Sequence, residues 1–174
     1  PAIARLTSLA LLDLGAAYRR AWTPDGPEPA PSVAPLAALR GLRVLRLPRG
    51  AVGHGVAELG AGLTALEALD VVEGTLDATG VAALARLERL VRLALRGSTL
   101  PGPAPALSRL NQLEDLNLDG TSVADPWVHE IVGLTRLRRL GLAGTRVTSA
   151  PLRGLRALTR LESLSLAETA ADDT

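Results

Sequence analysis

Leucine recurs along this chain in a six-residue frame, L-x-x-L-x-L, with mostly polar or small residues between the leucines. The frame opens at Leu42, Leu66, Leu90, Leu113, Leu137 and Leu161, in steps of 24, 24, 23, 24 and 24 residues, and only Val71 departs from leucine within it. An earlier copy, Leu9-Leu12-Leu14, precedes the series by 33 residues. A period between about 20 and 50 residues is the signature of a solenoid, in which each repeat is one coil. Seven strand sites follow from the seven frames.

The L-x-L end of each frame alternates with period 2, as a strand with one buried face does. Upstream of the strands the apolar residues fall at every third position instead: Val81, Leu84 and Leu87; Val128, Ile131 and Leu134; Leu152, Leu155 and Leu158. That spacing puts them on one side of a short helix or 3-10 segment. Each repeat therefore predicts a strand, a turn and a short helical return, and strands joined in this way stack in parallel.

The turns after the strands read Arg96-Gly-Ser, Asp119-Gly-Thr and Ala143-Gly-Thr. Gly97, Gly120 and Gly144 suit a backbone at positive φ. Ser98, Thr121, Thr145 and Thr169 share the next repeat position, where a column of hydroxyls could satisfy turn backbone groups from coil to coil. Asp125-Pro126 offers an N-cap carboxylate followed by proline at the first helical position.

These frames resemble the leucine-rich repeat family, with its pattern L-x-x-L-x-L-x-x-N-x-L, over residues 33 to 169 and 3 to 14. This chain has Thr, Ser or Gly where the family usually carries Asn. The G-T-x-V style is similar to bacterial members. The resemblance implies an α/β solenoid, curved, with a parallel β-sheet on the concave side and short helices or 3-10 segments on the convex side. It also implies ligand recognition as the usual role, without a shared catalytic residue.

Composition fits a layered core. Of the 174 residues 47% are hydrophobic but only 2% aromatic, with no Phe, Met or Cys. Leu, Val and Ala recur at fixed places, and each buried Leu contributes about 1.5–3 kcal/mol. The chain reads as one domain over residues 1–174. All 19 basic residues are Arg, which points to a GC-rich, bacterial source. The lack of Cys excludes disulfide caps; with no visible signal segment it leans toward a cytoplasmic location. No apolar run of about 18 residues free of charge exists for a membrane span. The chain opens at Pro1 inside an apolar repeat and ends soon after a strand, which reads as a fragment of a longer protein whose polar caps lie elsewhere.

Two stretches break the period. Residues 15–32 form an irregular Pro-rich insertion containing Tyr18 and Trp22, which at a spacing of four could share a helix face. These aromatics either seal the first coil or anchor a partner from a projecting loop. Residues 101–105, Pro-Gly-Pro-Ala-Pro, predict an extended segment in place of a helix.

Net charge is +1, yet residues 111–130 hold five acids and no Arg, and residues 131–161 hold seven Arg and no acid. The residues between the frame leucines should face out of the sheet in two columns. One runs Val44, Ala68, Arg92, Asp115, Arg139, Ser163; the other runs Arg46, Asp70, Ala94, Asn117, Gly141, Ser165. Arg92, Asp115 and Arg139 would form a ladder of alternating sign, repeated by Arg46 and Asp70, each pair contributing about 0.2–1 kcal/mol. The ladder either neutralises the sheet or marks a partner surface. Arg92, Asp115, Asn117 and Arg139, with Arg46, Asp70 and Trp22, are the candidate partner-binding residues.

Catalytic and cofactor signals are weak. His54 and His129 are alone in their repeats, without the ligands a zinc site needs. Gly60-Ala-Gly62-Leu-Thr-Ala65 matches G-x-G-x-x-A but leads into a strand, whereas a dinucleotide motif must follow one and open a helix. The arginines are spread over several repeat positions without aromatic interleaving, which argues against nucleic acid. Trp127, in the first turn of a helix, is either buried against the next coil or an exposed anchor. No metal, cofactor, nucleic acid or membrane is expected. The expectation is a protein-interaction module with no enzymatic activity; the rival is a rigid spacer that positions an attached domain. The discriminating feature is the concave face: a large apolar or aromatic patch favours binding, a uniformly paired face of small residues favours the spacer.

Overall fold

The computed structural model describes residues 5–15, 22–23, 26–27, 33–47, 49, 53–102 and 105–171. Seven short strands pair side by side: β1 (Leu11–Asp13), β4 (Val44–Arg46), β5 (Ala68–Asp70), β6 (Arg92–Ala94), β7 (Asp115–Asn117), β8 (Arg139–Gly141) and β9 (Ser163–Ser165). Every pair among them is parallel and in frame, so Leu12, Leu45, Leu69, Leu93, Leu116, Leu140 and Leu164 are successive partners. The irregular stretch contributes a separate antiparallel ribbon, β2 (Trp22–Thr23) against β3 (Gly26–Pro27).

Short helices form the opposite side. They are α1 (Gly53–Gly62), α2 (Ala78–Leu84), α3 (Asp125–Ile131) and α4 (Ser149–Leu152), with 3-10 turns at Ala34–Ala38, Pro105–Arg109 and Arg153–Ala157. Strands stack about 4.8 Å apart while helices with side chains are about 10 Å across, so the stack bends and the sheet lies on the inside of the curve.

Between the two sides runs one continuous core. The frame leucines from Leu42 to Leu142 and the return residues Val81, Leu84, Leu87, Val128, Ile131 and Leu134 are all buried. Burial relaxes at the ends: Leu164 is 41% exposed, and Leu9, Leu12, Leu14, Leu161 and Leu166 are only partly covered. Trp127 joins the core at 2% exposure, its indole N–H donating to Pro101 O at 3.3 Å, so it is not a surface anchor.

The turns run at positive φ as the glycines predict: Gly97 at 64°, Gly120 at 68° and Gly144 at 63°. Glu73 and Glu168 hold the same repeat position at 52° and 56°. The reason lies in the backbone. The N–H of Glu73 donates to Arg96 O, Gly97 to Asp119 O, Gly120 to Ala143 O and Gly144 to Ala167 O, at 2.7–2.8 Å, so this residue bolts each coil to the next.

That geometry corrects the hydroxyl column. Thr121 and Thr145 donate at 2.6 Å to Leu118 O and Leu142 O of their own coil, closing the turn locally. Only Ser98 crosses between coils, accepting from Gly74 N–H at 3.0 Å and donating to Val71 O at 3.3 Å. At this repeat position the remaining bridging is done by backbone groups, which every residue carries.

Other local expectations also shift. Asp125 is not an N-cap: Ala124 occupies that place, with no side-chain cap. Asp125 instead turns to the next coil, its carboxylate accepting from the Thr148 N–H at 2.7 Å and the Thr148 hydroxyl at 2.8 Å. Asp77 does cap α2, accepting from Gly80 N–H at 2.7 Å. Of the stretch 101–105 expected to be extended, residues 101–102 are not helical and residues 103–104 lie outside the described residues; only Pro105 departs, opening the 3-10 turn Pro105–Arg109, because proline's fixed φ is compatible with a first helical turn. Trp22 has strand backbone, not helix, so the shared helix face with Tyr18 does not form there; Tyr18 and the Trp22 side chain lie outside the described residues.

Candidate functional site

The alternation along each strand sends one set of side chains into the core and the other out over the concave face. Six candidates, Arg46, Asp70, Arg92, Asp115, Asn117 and Arg139, lie on five adjacent strands, β4 to β8. The seventh, Trp22, belongs to the separate β2–β3 ribbon and not to that sheet. A depression of about 270 Å3 opens among Val44, Arg46, Ala68, Asp70, Arg92 and Ala94, continuing to Arg96, Asp115 and Asn117. It gathers five of the candidates and leaves Arg139 beyond its rim.

The charge ladder is not the one the columns predict. Arg139 takes Asp115 at 2.9 Å, but Arg92 forms no ion pair with Asp115, its cross-strand partner. Arg46 turns away from Asp70 to Asp13, at 2.8 Å, and Asp70 is approached by Arg96 at 3.6 Å. Among the described residues Arg92 has no carboxylate partner. Partner choice follows reach: Asp13 is already oriented, its Oδ1 accepting from Gly15 N–H at 2.9 Å, and it meets Arg46 with the other oxygen. The Arg46 guanidinium, aided by the Gly15 N–H, holds the Asp13 carboxyl below its ordinary pKa, and the same contact raises that of Arg46.

A different ladder runs along the entry edge of the sheet, one residue before the strands. Arg43 pairs with Glu67 at 3.3 Å, and Arg138 sits between Glu114, at 3.8 Å, and Glu162. The acidic and basic coils thus neutralise each other at this edge and at Asp115–Arg139. All these pairs are largely exposed, and such pairs contribute about 0–1 kcal/mol each.

Asn117 and Asp119 shape the exit from β7. Asn117 Oδ1 accepts from Asp119 N–H at 3.0 Å, and Asp119 Oδ1 accepts from Ala143 N–H at 2.8 Å. A Cβ on Gly141 would fall 2.7 Å from that same Asp119 oxygen, so a side chain at 141 would have to displace the carboxylate. The concave face is consequently small-featured beyond Arg139: Gly141, Ser163 and Ser165.

Arg96, which completes the lining of the depression, was absent from the candidates. Extending the alternation of Arg92 and Ala94 one step past the strand would have found it.

Other chemistry is sparse among the described residues. His129 is exposed, with Nδ1 3.2 Å from Asp125 O of its own helix. No group of three or more His, Cys, Asp or Glu stands close enough to hold a metal ion, and no helix is long and apolar enough to cross a membrane. Of the clustered arginines, Arg136 bonds Gln112, Arg156 donates to Arg153 O, and Arg138 and Arg139 are paired as above.

No family model and no curated protein matches the chain. Solved structures do. A leucine-rich repeat protein of Leptospira interrogans superposes with a TM-score of 0.69 at 20% identity, over 97% of this chain and 40% of that one. An internalin of Listeria monocytogenes gives 0.57 at 19% identity, over 81% and 46% respectively. The chain has the leucine-rich repeat fold. The Arabidopsis receptor kinase HAESA, solved with the peptide hormone IDA and the co-receptor SERK1, gives 0.64 at 20% identity, over 92% of this chain and 26% of that one. This leucine-rich repeat chain therefore spans less than half the length of each of these three, and at such identities the likeness is one of fold.

Proposed function

We propose that this leucine-rich repeat chain is a non-catalytic protein-interaction module that engages a protein partner through its concave face. The observation that carries this reading is the depression of about 270 Å3 on that face, in which Arg92 has no carboxylate partner among the described residues. An exposed, unmatched guanidinium beside a floor of small side chains is a ready donor fork for a partner's acceptor. Arg92, Asp115, Asn117 and Arg139 form the centre of the surface, Arg46 and Asp70 its flank, and Trp22 an added anchor. The fold supports the reading, since HAESA, which shares it, was solved holding a peptide. Nucleic acid is a poorer fit, because four of the seven clustered arginines, Arg136, Arg138, Arg139 and Arg156, are engaged by neighbours and the cluster is spread over several repeat positions.

The spacer reading keeps one specific observation in its favour. Asp13–Arg46, Asp70–Arg96 and Asp115–Arg139 are matched, and Ala94, Gly141, Ser163 and Ser165 are small. Neither a large apolar patch nor an aromatic cluster lies on the concave face among the described residues.

A photo-crosslinking amino acid at Ala68 or Ser163 on the concave face, and at Arg109 on the convex side, separates the two readings in cells producing the chain. Capture of one defined protein from the concave positions alone is the expected result. Capture from neither concave position, or equally from Arg109, would overturn the proposal in favour of the spacer.

A further inference from the structure

We propose that the concave depression selects an acidic side chain: a partner segment that lays a carboxylate on Arg92 and a small apolar side chain on Val44, Ala68 and Ala94. This rests on the concave face being the binding surface and names the chemistry of what it holds.

The argument is one of charge complementarity. Three guanidinium groups line the depression, from Arg46, Arg92 and Arg96, together with the carboxylates of Asp70 and Asp115. Arg46 is satisfied by Asp13, Arg96 by Asp70, and Asp115 by Arg139 from outside the rim. Of the three cations lining the depression one is left over, Arg92, and one carboxylate completes the set. A fork of guanidinium N–H groups takes a carboxylate through two parallel bonds, the strongest pairing open to it.

Position is fixed by what surrounds Arg92. Its lateral neighbour on β5 is Ala68, whose own neighbour on β4 is Val44. The neighbour of Arg92 on the other side, on β7, is Asp115, which Arg139 engages at 2.9 Å, so a partner carboxylate is held to the β5 side, beside the apolar step. Asp70 lies one strand across and two residues along from Arg92, which at about 3.3 Å per residue and about 4.8 Å per strand puts their Cα atoms about 8 Å apart. Asp70 pairs with Arg96 through Oδ2, and its Oδ1 is buried and accepts no hydrogen bond, so a second carboxylate placed there would meet a like charge and an acceptor with no hydrogen to offer. The acid is held to the Arg92 side and the apolar residue to the Val44–Ala68 side. A volume of about 270 Å3 falls just under the about 300–1,000 Å3 of small-molecule pockets, which suits one or two side chains of a longer segment.

The test is selection of a random 12-residue peptide library, displayed with blocked C-termini, on the 174-residue chain. Selected peptides are then resynthesised as Glu→Gln or Asp→Asn variants and with free or amidated C-termini, and binding is mapped by backbone amide shifts. The expected result is enrichment of Asp or Glu at one position, with affinity falling tenfold or more for the neutralised peptide or for Arg92→Gln. Arg153→Gln, on the convex side, should leave affinity unchanged. Arg92 is exposed, so its replacement leaves the core intact; Ala68→Leu, which fills the floor, is the second variant and should weaken binding while Arg92 is kept. Peptides that perturb concave amides but bind Arg92→Gln equally would overturn this inference and leave the concave surface standing. Peptides that perturb only convex amides, or a library that yields no binder, would overturn both. Affinity that depends on a free C-terminus and not on Asp or Glu would reassign the site to chain ends and overturn the acidic side chain.

Discussion

Gly60 of α1 packs so closely on α2 that a Cβ at this position would lie 2.3 Å from the carbonyl oxygen of Ala83. Two residues on, a Cβ at Gly62 would lie 2.1 Å from the carbonyl of Ala37, on the coil before. One short run thus lets α1 approach both neighbours at once. This explains a G-x-G sequence that leads into a strand and could not cradle a dinucleotide.

Gly60→Ala should therefore destabilise the chain even though alanine is the better helix former. Propensity alone favours the substitution by about 1 kcal/mol, but overpacking against backbone costs about 1–3 kcal/mol. Chemical denaturation should give a net loss, as should Gly62→Ala. Exposed Ala61→Gly between them should lose about 1 kcal/mol from propensity alone. A gain of stability in Gly60→Ala would show that the helices stand further apart.

The turn position supplies a test of opposite sign. At Gly120 a Cβ would meet nothing nearer than 3.6 Å, so only the backbone conformation, φ 68°, penalises a side chain. Gly120→Ala should cost about 1–2 kcal/mol. Glu73 already bears that strain at φ 52° while pairing with Arg49 across an exposed contact. Glu73→Gly relieves the strain and loses a surface pair of about 0–1 kcal/mol, so its unfolding midpoint should stay level or rise. A fall of 2 °C or more in Glu73→Gly, with Gly120→Ala unaffected, would contradict this account of the turn.

The leucine frames were legible because a period is visible without any knowledge of contacts: buried Leu45, Leu69, Leu93, Leu116 and Leu140 repeat one position. The two outward columns followed from alternation alone. Ion pairing did not follow, because it depends on side-chain reach and on the order of coils. Arg46 finds Asp13 across the 33-residue step, where no fixed period points. The ladder through Arg43, Glu67, Glu114, Arg138 and Glu162 was hidden for another reason: alternation assigns the residue two before the strand centre to the inner face, yet at that point the chain has not entered the strand. Asp125 was misread because a helix start and a coil-to-coil bridge share the same residue type. Glu73 and Glu168 disguised a glycine position.

The account stands or falls on the frame itself, in which neighbouring residues of one strand face core and concave surface by turns. Thermal unfolding of Leu116→Asp beside Asn117→Asp tests it most directly. Leu116 is fully buried in the stacked core and Asn117 lines the concave face; a charge in the core is strongly destabilising, and Asp at 117 keeps the acceptor that Asp119 N–H uses. The predicted result is loss of cooperative unfolding in Leu116→Asp, with Asn117→Asp melting within a few degrees of the parent chain. Equal stability of the two variants would contradict the register and the surface built upon it.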